Sequence, residues 1–435
     1  MVEQPTRESG VAHPGIGLAL AGGGPEGAIY EIGALRALEE GIEGLDLNGL
    51  GVYVGVSAGA FIAANLANRL TPAQMCRAIV KHEPGEHPFV PETFFTPAFG
   101  EYLRGGLAVP RLLLESVTDF LAHPGDRTLL DSMTRLSRAL PIGLFDNEPI
   151  RQYLQKIYAM KGRTDDFRRL AQRLVVVAAD LDSGSAVRFG EADQDDVPIS
   201  RAVQASTALP GLYPPVEIGG RHYVDGVLLK TLHASVALEA GVDLLLCVNP
   251  IVPVNTDGVI TTGLMGSDQL VSRGLPTVLS QTFRTLIHSR MRVGMATYAQ
   301  RYAQADVVLI EPAQDDYLMF FTNVFSFSAR QQVANHAYQA TRRELSRRRD
   351  ELTPVLARHG LRLREEWLAE PSRDLWRGVG LVSAEGREPS PLGGRLGEAL
   401  DRLERLVRRR REAQESEGGD EADRRPVGAE LEVSS

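Results

Sequence analysis

Ser57 stands in Gly55-Val56-Ser57-Ala58-Gly59, a Gly-x-Ser-x-Gly motif. This pattern puts a serine on a sharp strand-to-helix turn: the strained backbone makes the hydroxyl project, and Gly55 and Gly59 remove side chains that would collide there. A hydroxyl so presented is a nucleophile for acyl transfer. That chemistry builds negative charge on a carbonyl oxygen, which needs hydrogen-bond donors fixed in place beforehand. Gly22-Gly23-Gly24-Pro25-Glu26-Gly27 offers them, because consecutive glycines leave backbone N–H groups unshielded. The N–H groups of Gly22, Gly23 and Gly24, joined by that of Ala58 at the positive start of the helix after the serine, form a candidate oxyanion site. Each such donor is worth about 3 kcal/mol of barrier. The loop also satisfies Gly-x-Gly-x-x-Gly, the fingerprint of a dinucleotide-binding turn, which requires an acidic residue at the end of the next strand. Here the next apolar run, Val52-Tyr53-Val54, leads into the serine turn instead.

A serine hydroxyl needs a base. Asp225 is the best candidate, in His222-Tyr223-Val224-Asp225-Gly226, where a short strand meets a turn-forming Gly226. An Asp-Gly pair is also one of the commonest turn signals, so the aspartate has a purely structural reading as well. A rival arrangement is a Ser-His-Asp triad drawing its histidine from the later chain, where His233, His288 and His336 are available. A third reading is a catalytically inactive protein that keeps the fold and binds lipid or a partner. A dyad is chemically sufficient if the aspartate is desolvated against the serine, since burial raises its basicity and general-base assistance contributes roughly 100- to 10,000-fold.

These groups have to be carried on a scaffold, and the apolar pattern describes one. Ile16-Gly17-Leu18-Ala19-Leu20 reads as a buried strand, followed from about Gly27 by a helix with Ala28, Ile32, Leu35 and Leu38 on one face, ending near Gly41. A strand over Val52-Tyr53-Val54 and a helix to about Leu70 come next, and Thr71-Pro72 can start another helix. The continuous apolar runs at 174–179, 244–248 and 307–310 read as strands buried on both faces. Strands alternating with helices predict an α/β fold with a mostly parallel sheet covered on both sides. Residues 47–68 carry no charge and match a membrane span in length, yet Gly51, Gly55, Gly59 and Asn65 divide them into strand, turn and helix. Residues 94–158 read as a helical, aromatic-rich insertion that is either core or a cover for an acyl-chain site touching a membrane surface. Residues 346–380 read as a helical extension and 381–435 as a linker and tail, with an amphipathic helix at 395–413 ending in a basic run. Residues 1–14 lack an apolar stretch and read as a disordered leader, not a secretory signal.

With 435 residues, 43% of them hydrophobic, the chain can bury a large core. A net charge of -9 argues against a general nucleic-acid binder. Two cysteines in apolar surroundings make no disulfide framework and point to a reducing, cytoplasmic setting, with peripheral contact at a membrane as an option. Glu191, Asp193, Asp195 and Asp196 crowd together without the spacing of a calcium loop, so neither metal nor cofactor is implied.

Five blocks taken in order resemble the patatin-like phospholipases: the loop 22–27, the elbow 55–59, Ala178-Ala179-Asp180-Leu181-Asp182, Ala205-Ser206-Thr207-Ala208-Leu209-Pro210, and Asp225-Gly226. The resemblance covers residues 15–310 and more loosely reaches 345. It implies a three-layer α/β/α domain over 15–345, a Ser-Asp dyad of Ser57 and Asp225 without histidine, an oxyanion site at Gly22, Gly23 and Gly24, and hydrolysis of phospholipid or neutral-lipid acyl esters. Two positions depart from the family's pattern. Glu26 stands where that family usually has Arg or Lys, which is expected to disfavour anionic headgroups, and Val227 stands where it has Gly or Ala, which is expected to shift the loop after Asp225.

Overall fold

Along β1 (His13–Leu20) the side chains alternate between two interiors, Leu18 and Leu20 facing one and Ala19 the other. The same division runs through β3 (Arg173–Asp180), where Leu174, Val176 and Ala178 join the first interior and Val175 and Val177 the second. This period of two in an uninterrupted apolar run is what a strand covered on both faces requires. A computed structural model of the chain, describing residues 13–81, 96–98, 141–256, 269–272, 274–316 and 327–379, shows the sheet these strands build.

The sheet's remaining strands are β2 (Leu50–Val56), β4 (Ala186–Phe189), β5 (Val216–Ile218), β6 (Arg221–Asp225), β7 (Leu244–Val248) and β8 (Asp306–Ile310). They run in the order β8-β7-β1-β2-β3-β6-β5, with β4 also paired to β3. The first five are mutually parallel, and β4, β5 and β6 extend the sheet antiparallel. On one face lie α1 (Gly24–Gly41), α2 (Ala58–Ala67), α4 (Ile199–Ser206) and α7 (Phe327–Arg347), and on the other α5 (Ala234–Glu239) and the C-terminal end of α6 (Leu275–Arg301). The architecture is the expected three-layer α/β/α, and all described residues fall in one compact unit, 1–381. One strand departs from expectation: Val307 and Leu309 of β8 are half-buried, because β8 closes the edge of the sheet.

Residues 47–68 form strand, turn and helix as their glycines demand, and among the described residues no helix is long and apolar enough to cross a membrane. Thr71 caps the short helix Pro72–Met75 through a capping box with Gln74. Of the insertion at 94–158, residues 94, 95 and 99–140 lie outside the described residues, as do 1–12 and the tail from 380 onward. Its described flanks are not all helical. Thr96–Pro97 pairs antiparallel with Phe145–Asp146, and helix α3 (Glu148–Tyr158) begins only after it. The segment after α7 contains α8 (Arg349–Arg358) and sends Leu352, Leu356, Trp367 and Leu375 into the main core. It is fastened to α1 by Glu40, whose buried carboxylate accepts from Tyr338 Oη (2.5 Å), Trp367 Nε1 (2.9 Å) and Arg373 Nη2 (3.0 Å) and meets Arg36 Nη2 at 2.5 Å. A buried carboxylate with three donors on one oxygen and a guanidinium beside the other is tolerated where a bare one is not. Both cysteines are buried free thiols.

Candidate active site

The carboxyl ends of β1, β2 and β7 open onto one edge of the sheet, the edge where parallel α/β folds place their ligands. β1 runs into the glycine loop and α1, and β2 runs into Ser57 and α2. Val56 is in register with Val177 of β3, and Ala178 with Asp225 at the end of β6. Sheet register alone therefore brings the serine turn and the aspartate to the same edge, one strand apart.

Ser57 sits at φ 55° and ψ -123°, left-handed backbone that a non-glycine residue adopts only when its surroundings force it. What holds it is a chain of bonds: Ser57 N donates to Ser206 Oγ (2.8 Å), and the Ser206 hydroxyl donates to the Val177 carbonyl (2.6 Å). The Ser57 hydroxyl donates to Asp225 Oδ2 at 2.6 Å. Asp225 is 1% exposed; its Oδ1 accepts from Val227 N (2.9 Å), and its own N donates to the Ala208 carbonyl (3.0 Å). Burial pushes the Asp225 carboxyl up to about 7, against the lowering effect of the Ser57 hydroxyl and the Val227 N–H. A carboxylate with that affinity for a proton is suited to take one from a serine near neutral pH.

Of the four N–H groups expected to serve as donors, one is engaged elsewhere. Gly24 and Ala58 are the first residues of α1 and α2, so their N–H groups have no carbonyl one turn back to bond. Gly24 adopts φ +59°, which glycine alone reaches without strain. Gly23, Gly24 and Ala58 line the cleft that holds Ser57 and Asp225. Gly22 drops out, because its N–H donates to the Thr231 carbonyl at 3.2 Å. Its lack of a side chain serves another end: a Cβ there would lie 2.9 Å from Val227 Cγ2, so the bare Gly22 makes room for the branched residue after Asp225-Gly226.

The three histidines stand apart from the dyad. His233 is buried with its ring 3.4 Å from the Gly226 carbonyl, and desolvation pushes it down to about 4, hence neutral. His288 bonds Gln314 (3.5 Å) and His336 bonds Asp316 (2.5 Å). Among the described residues no hydrogen bond joins any of them to Ser57 or Asp225.

The cleft encloses about 220 Å3 and is walled by Leu209, Leu212, Tyr213, Val227, Ile251 and Phe283. An apolar trough ending in a hydroxyl bonded to a carboxylate and in helix-start N–H groups has the form of a site for a chain with an ester at one end. Glu26 does not make this cleft acidic. Its carboxylate lies 3.5 Å from Arg284 Nη2, and burial raises it to about 7 despite that guanidinium. Arg284, from α6, lines the cleft itself, so the acidic side chain beside the glycine loop is paired with a cation there. Sequence reading missed Arg284 and Phe283, since no spacing ties α6 to a glycine loop at the other end of the domain. It did single out the block 205–210, but not the part Ser206 and Ala208 play in pinning both reactive residues.

A family model described as Patatin-like phospholipase matches residues 18–238 of the chain. Among solved structures, the chain is similar to VipD from Legionella pneumophila at 15% identity and a TM-score of 0.39, over 77% of this chain and 67% of VipD. It is similar to full-length ExoU of Pseudomonas aeruginosa in complex with SpcU at 20% identity and a TM-score of 0.24, over 45% of this chain and 38% of that one. Human GIVD cytosolic phospholipase A2 gives 14% and 0.27, over 61% of this chain and 44% of that one. The chain thus spans under half the length of the last two.

Proposed function

Because the chain belongs to the patatin-like phospholipase family, we propose that it hydrolyses acyl esters of phospholipids or other lipids with a Ser57–Asp225 dyad. The observation that carries this reading is the 2.6 Å bond from the Ser57 hydroxyl to a buried carboxylate, inside the apolar cleft. Asp225 accepts the hydroxyl proton as Oγ attacks the ester carbonyl, and the N–H groups of Gly23, Gly24 and Ala58 hold the resulting oxyanion. Collapse breaks the acyl–oxygen bond, and Asp225 returns the proton to the departing alcohol. Water then attacks the acyl-serine, giving its proton to Asp225 and releasing the carboxylic acid as Ser57 recovers its hydrogen.

Two readouts test this together. A fluorophosphonate probe labels Ser57, and turnover of p-nitrophenyl esters rises with pH through about 7 and then levels. The direction follows from the raised Asp225 pKa: below about 7 the carboxyl is protonated and cannot accept the serine proton. An unlabelled protein, or a rate that is flat from pH 5 to 8, removes the dyad.

Arg284 is the cationic side chain placed to meet a phosphodiester beside the scissile ester. An Arg–phosphate contact is worth enough that Arg284→Ala is expected to raise KM for phosphatidylglycerol about tenfold or more. KM for an uncharged monoacylglycerol stays within about twofold, because uncharged substrates never make that contact. Equal changes for both substrates would show that Arg284 only props the cleft.

A further inference from the structure

Helix α6 runs for 27 residues and contains four arginines and no Asp or Glu, in a chain whose net charge is -9. One of its faces is conventional: Ile287, Met291 and Tyr298 are buried against the domain, and Phe283 and Arg284 line the cleft. The flank about 100° round the helix from that face, on the side of Phe283, is not. Leu275, Leu279, Leu286 and Val293 are each between 55% and 69% exposed. The last three recur every seventh residue, which at 3.6 residues per turn keeps them on one line down the helix. Single exposed leucines are ordinary on soluble proteins, whereas an apolar line of two turns and more marks a contact surface. Arg290 and Arg292 are exposed to either side of it. The other rim of the cleft carries exposed Ile142 and Leu144, tied to it by Leu144 N to the Gly211 carbonyl (3.3 Å) and Phe145 N to the carbonyl of Leu212, a cleft residue.

We propose that this face of α6 is the surface on which the protein lies on an anionic lipid bilayer, its apolar line entering the acyl boundary and its arginines meeting the headgroups. Helices that lie in a membrane interface have this composition, an apolar face flanked by long basic side chains. A bilayer is favoured over a second copy of the chain because the helix's own charged side chains are all arginines in a chain of net charge -9, and because the same helix walls the cleft. That last point rests on the lipid-hydrolase reading: a substrate leaving the bilayer at α6 meets the cleft without crossing open water.

The test compares the full-length protein with the variant Leu279→Asp/Leu286→Asp/Val293→Asp, using vesicles of equal phosphatidylglycerol and phosphatidylcholine in a sedimentation assay and monodisperse p-nitrophenyl butyrate as soluble substrate. The expected result is a loss of vesicle binding of about 100-fold or more, from three apolar side chains no longer buried, with soluble-ester turnover unchanged. The milder Leu279→Ser/Leu286→Ser/Val293→Ser variant, with its melting temperature, guards against misfolding and should lose binding in the same direction. Three outcomes overturn the proposal: wild type that does not bind vesicles, variants that bind as wild type does, or a wild-type dimer that the variants render monomeric with vesicle binding intact. Failure of the hydrolase reading looks different, since vesicle binding would then persist in a protein without turnover.

Discussion

Ser57→Ala reduces ester turnover to background, and Asp225→Asn reduces it by about 1,000-fold, the scale of general-base assistance. The two variants part company in stability. Asp225 is buried with its carboxyl raised from 3.8 to about 7, so the folded protein holds a proton there that the unfolded chain has released. Between pH 4 and pH 7 the folded state binds more protons than the unfolded one, and stability falls as pH rises through that window. A carboxyl raised that far is worth about 4 kcal/mol to the folded state, present below pH 4 and lost by about pH 7. Asparagine is isosteric and carries no charge, so Asp225→Asn escapes that loss. Urea unfolding should show it more stable than wild type by a few kcal/mol at pH 8 and nearly equal at pH 4. Ser57→Ala keeps the charge and removes the hydroxyl that helps solvate it, so it is less stable than wild type at pH 8. An Asp225→Asn protein with ordinary turnover ends the dyad. One that is dead and also less stable at pH 8 shows that the aspartate is structural.

That opposition explains which parts of the site were legible in the sequence. Strained and desolvated groups break local rules, and broken rules leave marks: a serine where the backbone wants glycine needs Gly55 and Gly59 beside it, and three successive glycines have no use in an ordinary helix start. The strands were legible for a simpler reason, since runs such as 174–179 have no polar face to offer water. The donor set was legible only in outline. Whether Gly22 or Gly23 presents its N–H depends on Thr231, which a tertiary contact places there. The same holds for Glu26, whose partner Arg284 comes from α6. A side chain's charge is local information, but its partner is not. The bent edges of the insertion failed for another cause: Thr96–Pro97 and Phe145–Asp146 are two-residue strands, too short for any period to register.

The glycines of the elbow give the second large effect, because they set the distance between Ser57 and the N–H groups proposed to hold the oxyanion. Gly59 N donates to the Ala21 carbonyl at 3.1 Å, and a Cβ built on Gly59 would lie 2.5 Å from the Leu20 carbonyl carbon and 2.6 Å from the Ala21 oxygen. Those atoms are backbone at the end of β1, the stretch that delivers Gly23 and Gly24 to the cleft. They cannot rotate aside as a side chain does, so Gly59→Ala must push α2 and the glycine loop apart by most of an ångström. Overpacking of this kind costs about 1–3 kcal/mol of stability. The rate suffers more: displacing catalytic groups by about 1 Å costs on the order of 100-fold, and the loss falls on kcat because the apolar walls that bind the chain are untouched. Gly59→Ala should therefore fold, melt a few degrees lower, retain KM within about twofold and lose about 100-fold in kcat. Near-normal kcat in this variant would mean that the N–H groups of the glycine loop do not face the reacting carbonyl.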